Sequence, residues 1–279
     1  NAKDVFCKAK PVPISLESKV EAELNRLERM GIITPCTSAV TNSSPVVWVK
    51  KSDGKLRMCV DFKVHVNGKI KMDSYPIPNV ETIFAKLKNA KVFAKLDLTS
   101  AYWQIELDDK AKESSIINTS KGLYFVNRLQ MGMKNASTIF QRTKAHILSD
   151  IRGDLMYQDD VLIFADNSSA LEKRLTTILT RLKEKKVTIN LEKSIRHSTE
   201  VTFLGFKISA RGVEPDGKLV SRILSIRTPE NNREVESFVG LVNYFGRLIP
   251  NFSQKIMPIS ELRKSKNVHF KLTSECQRS

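Results

Sequence analysis

The chain has 279 residues, 41% hydrophobic and 27% charged, enough for one large core or two smaller ones and typical of the soluble globular class. Mean hydropathy is −0.26, and no run approaches the roughly eighteen apolar residues of a membrane span, which excludes a helical membrane protein. With 46 Lys and Arg against 30 Asp and Glu, the net charge is +16 and the pI about 9.7, a field that attracts polyanions and nucleic acid first among them, though it names no reaction.

Residues 15–30 place Leu16, Val20, Leu24, Leu27 and Met30 at helical spacing, with Ser15 able to cap and Gly31 to stop the helix. After a Ser/Thr-rich stretch come the strand Val46-Val47-Trp48-Val49, a turn carrying Asp53-Gly54, and a returning strand over 56–62. This is a basic β-hairpin. A strand is expected over 91–98, a helix over 137–148 with Ile139, Phe140, Thr143 and Ile147 inward, and a hairpin whose apolar arms, 155–157 and 161–164, enclose Gln158-Asp159-Asp160. Ser169 to Glu172 reads as a capping box opening a helix with Leu171, Leu175, Ile178, Leu179 and Leu182 on one face. A further hairpin over 202–213 turns at Ala210-Arg211-Gly212. From about Glu214 the pattern becomes helical, with a helix over 234–248 stopping before Pro250. The order of elements fits an α+β fold with an antiparallel sheet.

Cys7, Cys36, Cys59 and Cys276 lie far apart, and four scattered histidines share no ligand spacing, so neither zinc nor a disulfide framework is expected and a reducing interior is the simpler reading. The N-terminus has no Met and no apolar signal core, so secretion is not expected and the chain reads as a piece of something longer.

Adjacent carboxylates between apolar strands cost free energy unless neutralised, and hard divalent cations prefer such oxygens. Asp97, ending the apolar run Val92 to Leu96, supplies a third carboxylate beside Asp159 and Asp160. On these residues alone, the Asp-Asp pair is either a metal site or a solvated turn; the apolar flanks favour the metal. Two cations there could activate a primer 3′-hydroxyl and neutralise a triphosphate.

Leu96-Asp97-Leu98-Thr99-Ser100-Ala101-Tyr102-Trp103-Gln104-Ile105 resembles the first catalytic motif of gypsy-class LTR-retrotransposon reverse transcriptases. Gly122-Leu123-Tyr124, Leu129 to Ala136 and Phe140-Gln141 resemble the next motif. Tyr157-Gln158-Asp159-Asp160 is similar to the second catalytic motif, and Phe203-Leu204-Gly205-Phe206 to the primer grip. The basic hairpin (Lys51, Lys55, Arg57, Asp61, Phe62) is similar to the fingers, and 239–245 to the thumb. The resemblance is collinear over about 8–275.

It implies a right-hand polymerase, with fingers and palm over 1–212 and a thumb over 213–279 that ends in the start of a connection toward an RNase H domain outside this chain. Asp97, Asp159 and Asp160, with the Leu98 carbonyl, would bind two Mg²⁺ or Mn²⁺ ions. Lys51 and Arg57 would grip the triphosphate, Arg57 through its planar fork. Tyr102 would lie under the sugar and exclude a 2′-hydroxyl. Met131 and Gly132 would line the nascent base pair, and Leu204 and Gly205 would hold the primer end. The implied activity is RNA-directed DNA polymerisation on an RNA or DNA template-primer with dNTPs, in the cytoplasm inside virus-like particles and without a membrane. Oligomeric state is left open. The rivals are a decayed or domesticated relic that only binds nucleic acid, and a metal-dependent nuclease.

Three departures stand out. Gln130-Met131-Gly132 replaces the family's Pro-Phe-Gly, Asn135-Ala136-Ser137 replaces Asn-Ala-Pro, and Ser194 replaces a Cys. The lost prolines are expected to loosen the turns beside the nucleotide pocket.

Overall fold

The computed structural model describes residues 5–51, 53–76, 79–151, 154–157 and 160–262. The chain divides into two compact units, Asn1–Lys88 with Ala94–His197, and Asn89–Phe93 with Ser198–Ser279.

The first unit opens with helix α1 (Ile14–Arg29), which buries Val20, Leu24 and Leu27. The helical spacing places that stripe, but the helix starts after Pro13 with no side-chain cap, so Ser15 lies inside it. Met30 is exposed, not inward. Gly31 ends the helix as expected: its positive φ of 66° lets its own N–H reach Glu28 O and the Ile32 N–H reach Leu27 O, at 2.8 and 2.9 Å.

Strands β1 (Ile33–Pro35), β2 (Ser44–Lys50), β3 (Leu56–Val60), β5 (Ile116–Thr119) and β6 (Gly122–Val126) form a five-stranded sheet ordered β1-β6-β5-β2-β3. Strand β6 pairs antiparallel with β1 and β5, and β2 antiparallel with β3, whereas β2 and β5 are parallel. The second sheet is ordered β7-β8-β4-β9, from β4 (Val92–Leu98), β7 (Asp154–Tyr157), β8 (Asp160–Ala165) and β9 (Ile189–Ser198). Val161, Leu162, Ile163 and Ala165 of β8 are buried, which is why this strand reads as an unbroken apolar run. Short helices α2 (Val66–Lys69), α3 (Val80–Lys86) and α4 (Asp109–Ser114) lie in the connections.

Helix α5 (Ala136–Ile147) buries Ala136, Phe140, Gln141 and Lys144, so the inward face is rotated from the expected one; Ile139, Thr143 and Ile147 are only half-buried. Helix α6 (Ser168–Glu184) buries Leu171, Leu175, Ile178 and Leu182, each worth at most about 1.5–3 kcal/mol of transfer free energy. Its cap is Asn167, whose side chain accepts the Ala170 N–H at 2.9 Å, and not the box expected at Ser169.

The second unit holds the antiparallel meander β10 (Glu200–Phe203), β11 (Phe206–Ser209) and β12 (Gly212–Pro215), followed by α7 (Gly217–Leu224), α8 (Asn232–Asn243) and α9 (Phe252–Leu262). The helix expected over 234–248 ends at Asn243 and passes into a 3-10 turn at Gly246–Leu248. Val235, Val239 and Ile259 form its helical core with Phe238, Ile256 and Leu262 against them. No helix among the described residues is long and apolar enough to cross a membrane.

Candidate active site

Strands β8 and β4 are neighbours, so Asp160 at the start of β8 and Asp97 near the end of β4 belong to one sheet. Alternation along β4 buries Val92, Ala94, Leu96 and Leu98 on one face and leaves Lys95 and Asp97 half-buried on the other. Lys95 Nζ stands 2.9 Å from Asp160 Oδ2, with both side chains about a quarter exposed. Lys95 was not anticipated, yet its place two residues before Asp97 puts it on the same strand face by period two alone. Asp159 and Gln158 lie outside the described residues, as does the connection segment at 268–272. Tyr157 and Asp160 pair across 158–159 in the β7–β8 register, the arrangement expected of a hairpin.

The donor chemistry suits a hard divalent cation. Asp97 and Asp160 offer carboxylate oxygens and Leu98 a backbone carbonyl, and the Lys95 ammonium balances the charge of Asp160. Among the described residues no three carboxylates, histidines or cysteines cluster, the remaining expected ligand being Asp159.

The Asp97 backbone is held by a residue seen in the sequence only as a departure. Its N–H donates to Ser194 Oγ at 3.1 Å, and the Ser194 hydroxyl donates to Asn190 O at 2.6 Å. Beyond β4 the chain enters a 3-10 turn, Ala101–Gln104, through Ser100 at φ 45°, in the left-handed region. Gln104 locks that turn to the segment before β9: its Nε2 donates to Thr99 O and Thr188 O at 2.7 and 3.0 Å, and its Oε1 accepts the Thr188 N–H.

This turn delivers Tyr102 and Trp103. The Tyr102 ring is buried and packs on Phe140 of α5 at 5.2 Å, tilted by 40°. The Tyr102 hydroxyl lies 3.2 Å from Ser137 Oγ, and Trp103 Nε1 donates to Gln130 Oε1 at 3.0 Å. The expected loosening is therefore offset, because each residue standing in for a proline ties one of these aromatics. Gly132, at φ 90°, takes a conformation only glycine adopts without strain, and Asn67 clamps it by donating to Gly132 O while accepting the Lys134 N–H, both at 2.8 Å. Met131 beside it is 56% exposed, available to a ligand.

In the β2–β3 hairpin, Val49 pairs with Arg57 and Val47 with Cys59, so these four share one face. Arg57, Val47 and Val49 are exposed on it, and Leu56 and Met58 are buried on the other. Lys51 is exposed at the turn, where its N–H donates to Lys55 O at 2.8 Å. The hairpin thus offers a cationic fork flanked by bare valines.

In the second unit Leu204 and Gly205 join Phe203 to Phe206 with φ of 54° and 73°. Two consecutive positive φ values make the mirror-type hairpin turn. Leucine is strained there, and the Tyr244 hydroxyl holds the turn by donating to Leu204 O at 2.7 Å. A Cβ on Gly205 would come within 3.3 Å of Leu219.

The architecture is that of a right-hand polymerase with mixed α and β content: a foamy viral protease-reverse transcriptase in complex with double-stranded DNA superposes with a TM-score of 0.90 at 24% identity, over 100% of this chain and 49% of that one. Residues 49–208 match the family described as reverse transcriptase (RNA-dependent DNA polymerase), and the chain belongs to that family. It is 33% identical to a retrovirus-related Pol polyprotein from transposon opus of Drosophila melanogaster, over 93% of this chain and 26% of that protein. It is 37% identical to an uncharacterized protein of Caenorhabditis elegans, over 91% of this chain and 20% of its relative. The chain thus spans about a fifth to a quarter of the relatives it matches, and the gypsy-class resemblance is consistent with the transposon name. Reverse transcriptases generally use divalent metal ions.

Proposed function

We propose that this chain is the polymerising part of a retrotransposon polyprotein, extending a primer 3′-end with dNTPs on an RNA or DNA template. The observation that carries the reading is Asp97 and Asp160 on adjacent strands within the family-matched region. Asp97, Asp159, Asp160 and the Leu98 carbonyl would hold two Mg²⁺ or Mn²⁺ ions, which when bound supply activation of the primer hydroxyl and neutralisation of the triphosphate. Lys95, 2.9 Å from Asp160, holds that carboxylate in place. Arg57 binds triphosphate oxygens through two parallel N–H donors, with Lys51 beside it as a point charge. Tyr102 closes the floor of the sugar site and excludes a 2′-hydroxyl by contact, while Met131 and Gly132 line the nascent base pair. Leu204 and Gly205 hold the primer terminus on their strained turn.

On this reading residues 1–212 are fingers and palm and 213–279 thumb, and the protein acts in the cytoplasm inside virus-like particles. The test is primer extension on a poly-ribonucleotide template with Mg²⁺ or Mn²⁺. Asp159→Asn and Asp160→Asn are each expected to lower the rate by about a hundredfold or more, the scale of several kcal/mol of charge stabilisation. Template binding with no extension by the unaltered chain at any metal concentration would sink the reading and leave a relic; strand shortening would indicate a nuclease.

A further inference from the structure

The turn beyond β4 is stitched to the following loop and helix by two side chains that proline cannot supply. Gln130 Oε1 takes the Trp103 indole proton, and Ser137 Oγ stands against the Tyr102 hydroxyl. The backbone of the turn is independently fixed: the Trp103 N–H donates to Ser100 O at 2.8 Å and the Ile105 N–H to Tyr102 O at 3.1 Å. Phe140 packs on one side of the Tyr102 ring. With the backbone fixed, the far end of that buried ring is positioned only by rotation about the bonds of its own side chain. Ser137 anchors that end.

We propose that Ser137 is a specificity-determining residue, its hydroxyl setting how far the Tyr102 ring reaches toward the sugar and so how strongly ribonucleotides are rejected. The proposal rests on the reading of Tyr102 as the gate. Contact repulsion rises steeply over fractions of an ångström, so a small relaxation of the ring admits a 2′-hydroxyl while costing a deoxyribose little. Ser137 is exposed near the start of α5 and is not packed against the core, so truncating it removes the hydroxyl without opening a cavity.

The experiment measures single-nucleotide kcat/KM for dCTP and rCTP on one template-primer, and the Kd of each on a dideoxy-terminated primer. The variants are Ser137→Ala, Ser137→Thr, Tyr102→Phe, the Ser137→Ala/Tyr102→Phe double and Tyr102→Ala. Ser137→Ala is expected to cut the dCTP/rCTP preference about three- to tenfold, the reach of one neutral hydrogen bond, acting mainly through rCTP. Ser137→Thr, which keeps the hydroxyl, restores the preference. The double variant goes no further than either single change, because both remove the same bond. A merely structural role would lower both nucleotides together and leave the ratio alone. If Tyr102→Ala loses the preference while Ser137→Ala keeps it, or if the two single effects add, the role given to Ser137 is overturned and the gate stands. Should Tyr102→Ala itself keep the preference, the gate reading fails and this proposal with it.

Discussion

Asp97 is held through its backbone as much as through its strand. The N–H that the side chain rides on is bonded to Ser194 Oγ, and Ser194 in turn donates to Asn190 O at 2.6 Å, a contact within β9. Removing that hydroxyl leaves a half-buried N–H without its acceptor, and such a loss costs about 1–3 kcal/mol. Ser194→Ala is therefore expected to lower thermal stability by an amount on that scale and to raise the metal concentration needed for half-maximal extension. A metal titration of wild type, Ser194→Ala and Ser194→Cys checks it; an unchanged metal midpoint in the alanine variant would confine Ser194 to stability. Ser194 was visible in the sequence as an oddity, but its partner lies 97 positions away, and no local pattern carries that distance. The same holds for Tyr102 with Ser137 and Trp103 with Gln130, 35 and 27 positions apart.

At the scale of elements, helix α6 is joined to the end of α5 by one arginine. Arg181 Nη1 donates to Ile147 O at 2.9 Å, and Nη1 and Nη2 each meet an oxygen of Asp150 at 2.9 Å. That guanidinium, helped by Asp150's own backbone N–H donating to the carboxylate, holds the Asp150 carboxyl below the usual carboxylate range. A depressed folded value means stabilisation that is present above the unfolded value of about 3.9 and lost as pH falls through the folded one. Arg181→Met should therefore lower stability at neutral pH and flatten the acid limb below about pH 4, which thermal melts between neutral and acid pH would show; an identical acid limb in both proteins would contradict it. Periodicity located α1, α5, α6 and the β2–β3 hairpin, because a buried stripe writes itself at fixed spacing. It misplaced the cap of α6 and the inward face of α5. Asn167 captures the cap because its extended backbone aims the side chain at Ala170 N–H, and α5 turns inward a lysine, Lys144, whose ammonium lies 4.5 Å over the Phe140 ring.

For the whole molecule, the net charge of +16 makes salt the sharpest lever. If binding neutralises about six phosphates, template-primer affinity should fall roughly a thousandfold between about 50 and 200 mM salt, linearly on logarithmic axes. A flat salt profile in a binding titration would show that the excess charge faces elsewhere. Charge, apolar periodicity and the spacing of three aspartates are local properties of the chain, and they alone determined that it is a basic α+β protein with the motif order of a polymerase. The tertiary structure decided what holds those motifs: Lys95 against Asp160, Ser194 under Asp97, Ser137 and Gln130 on the two aromatics, and Tyr244 on the strained Leu204 turn. Each of these is a contact between side chains or backbone groups that meet only after strands and helices pack, and pairing across such separations is set by the balance of burial and hydrogen bonding over the whole core, not by any stretch of sequence within it.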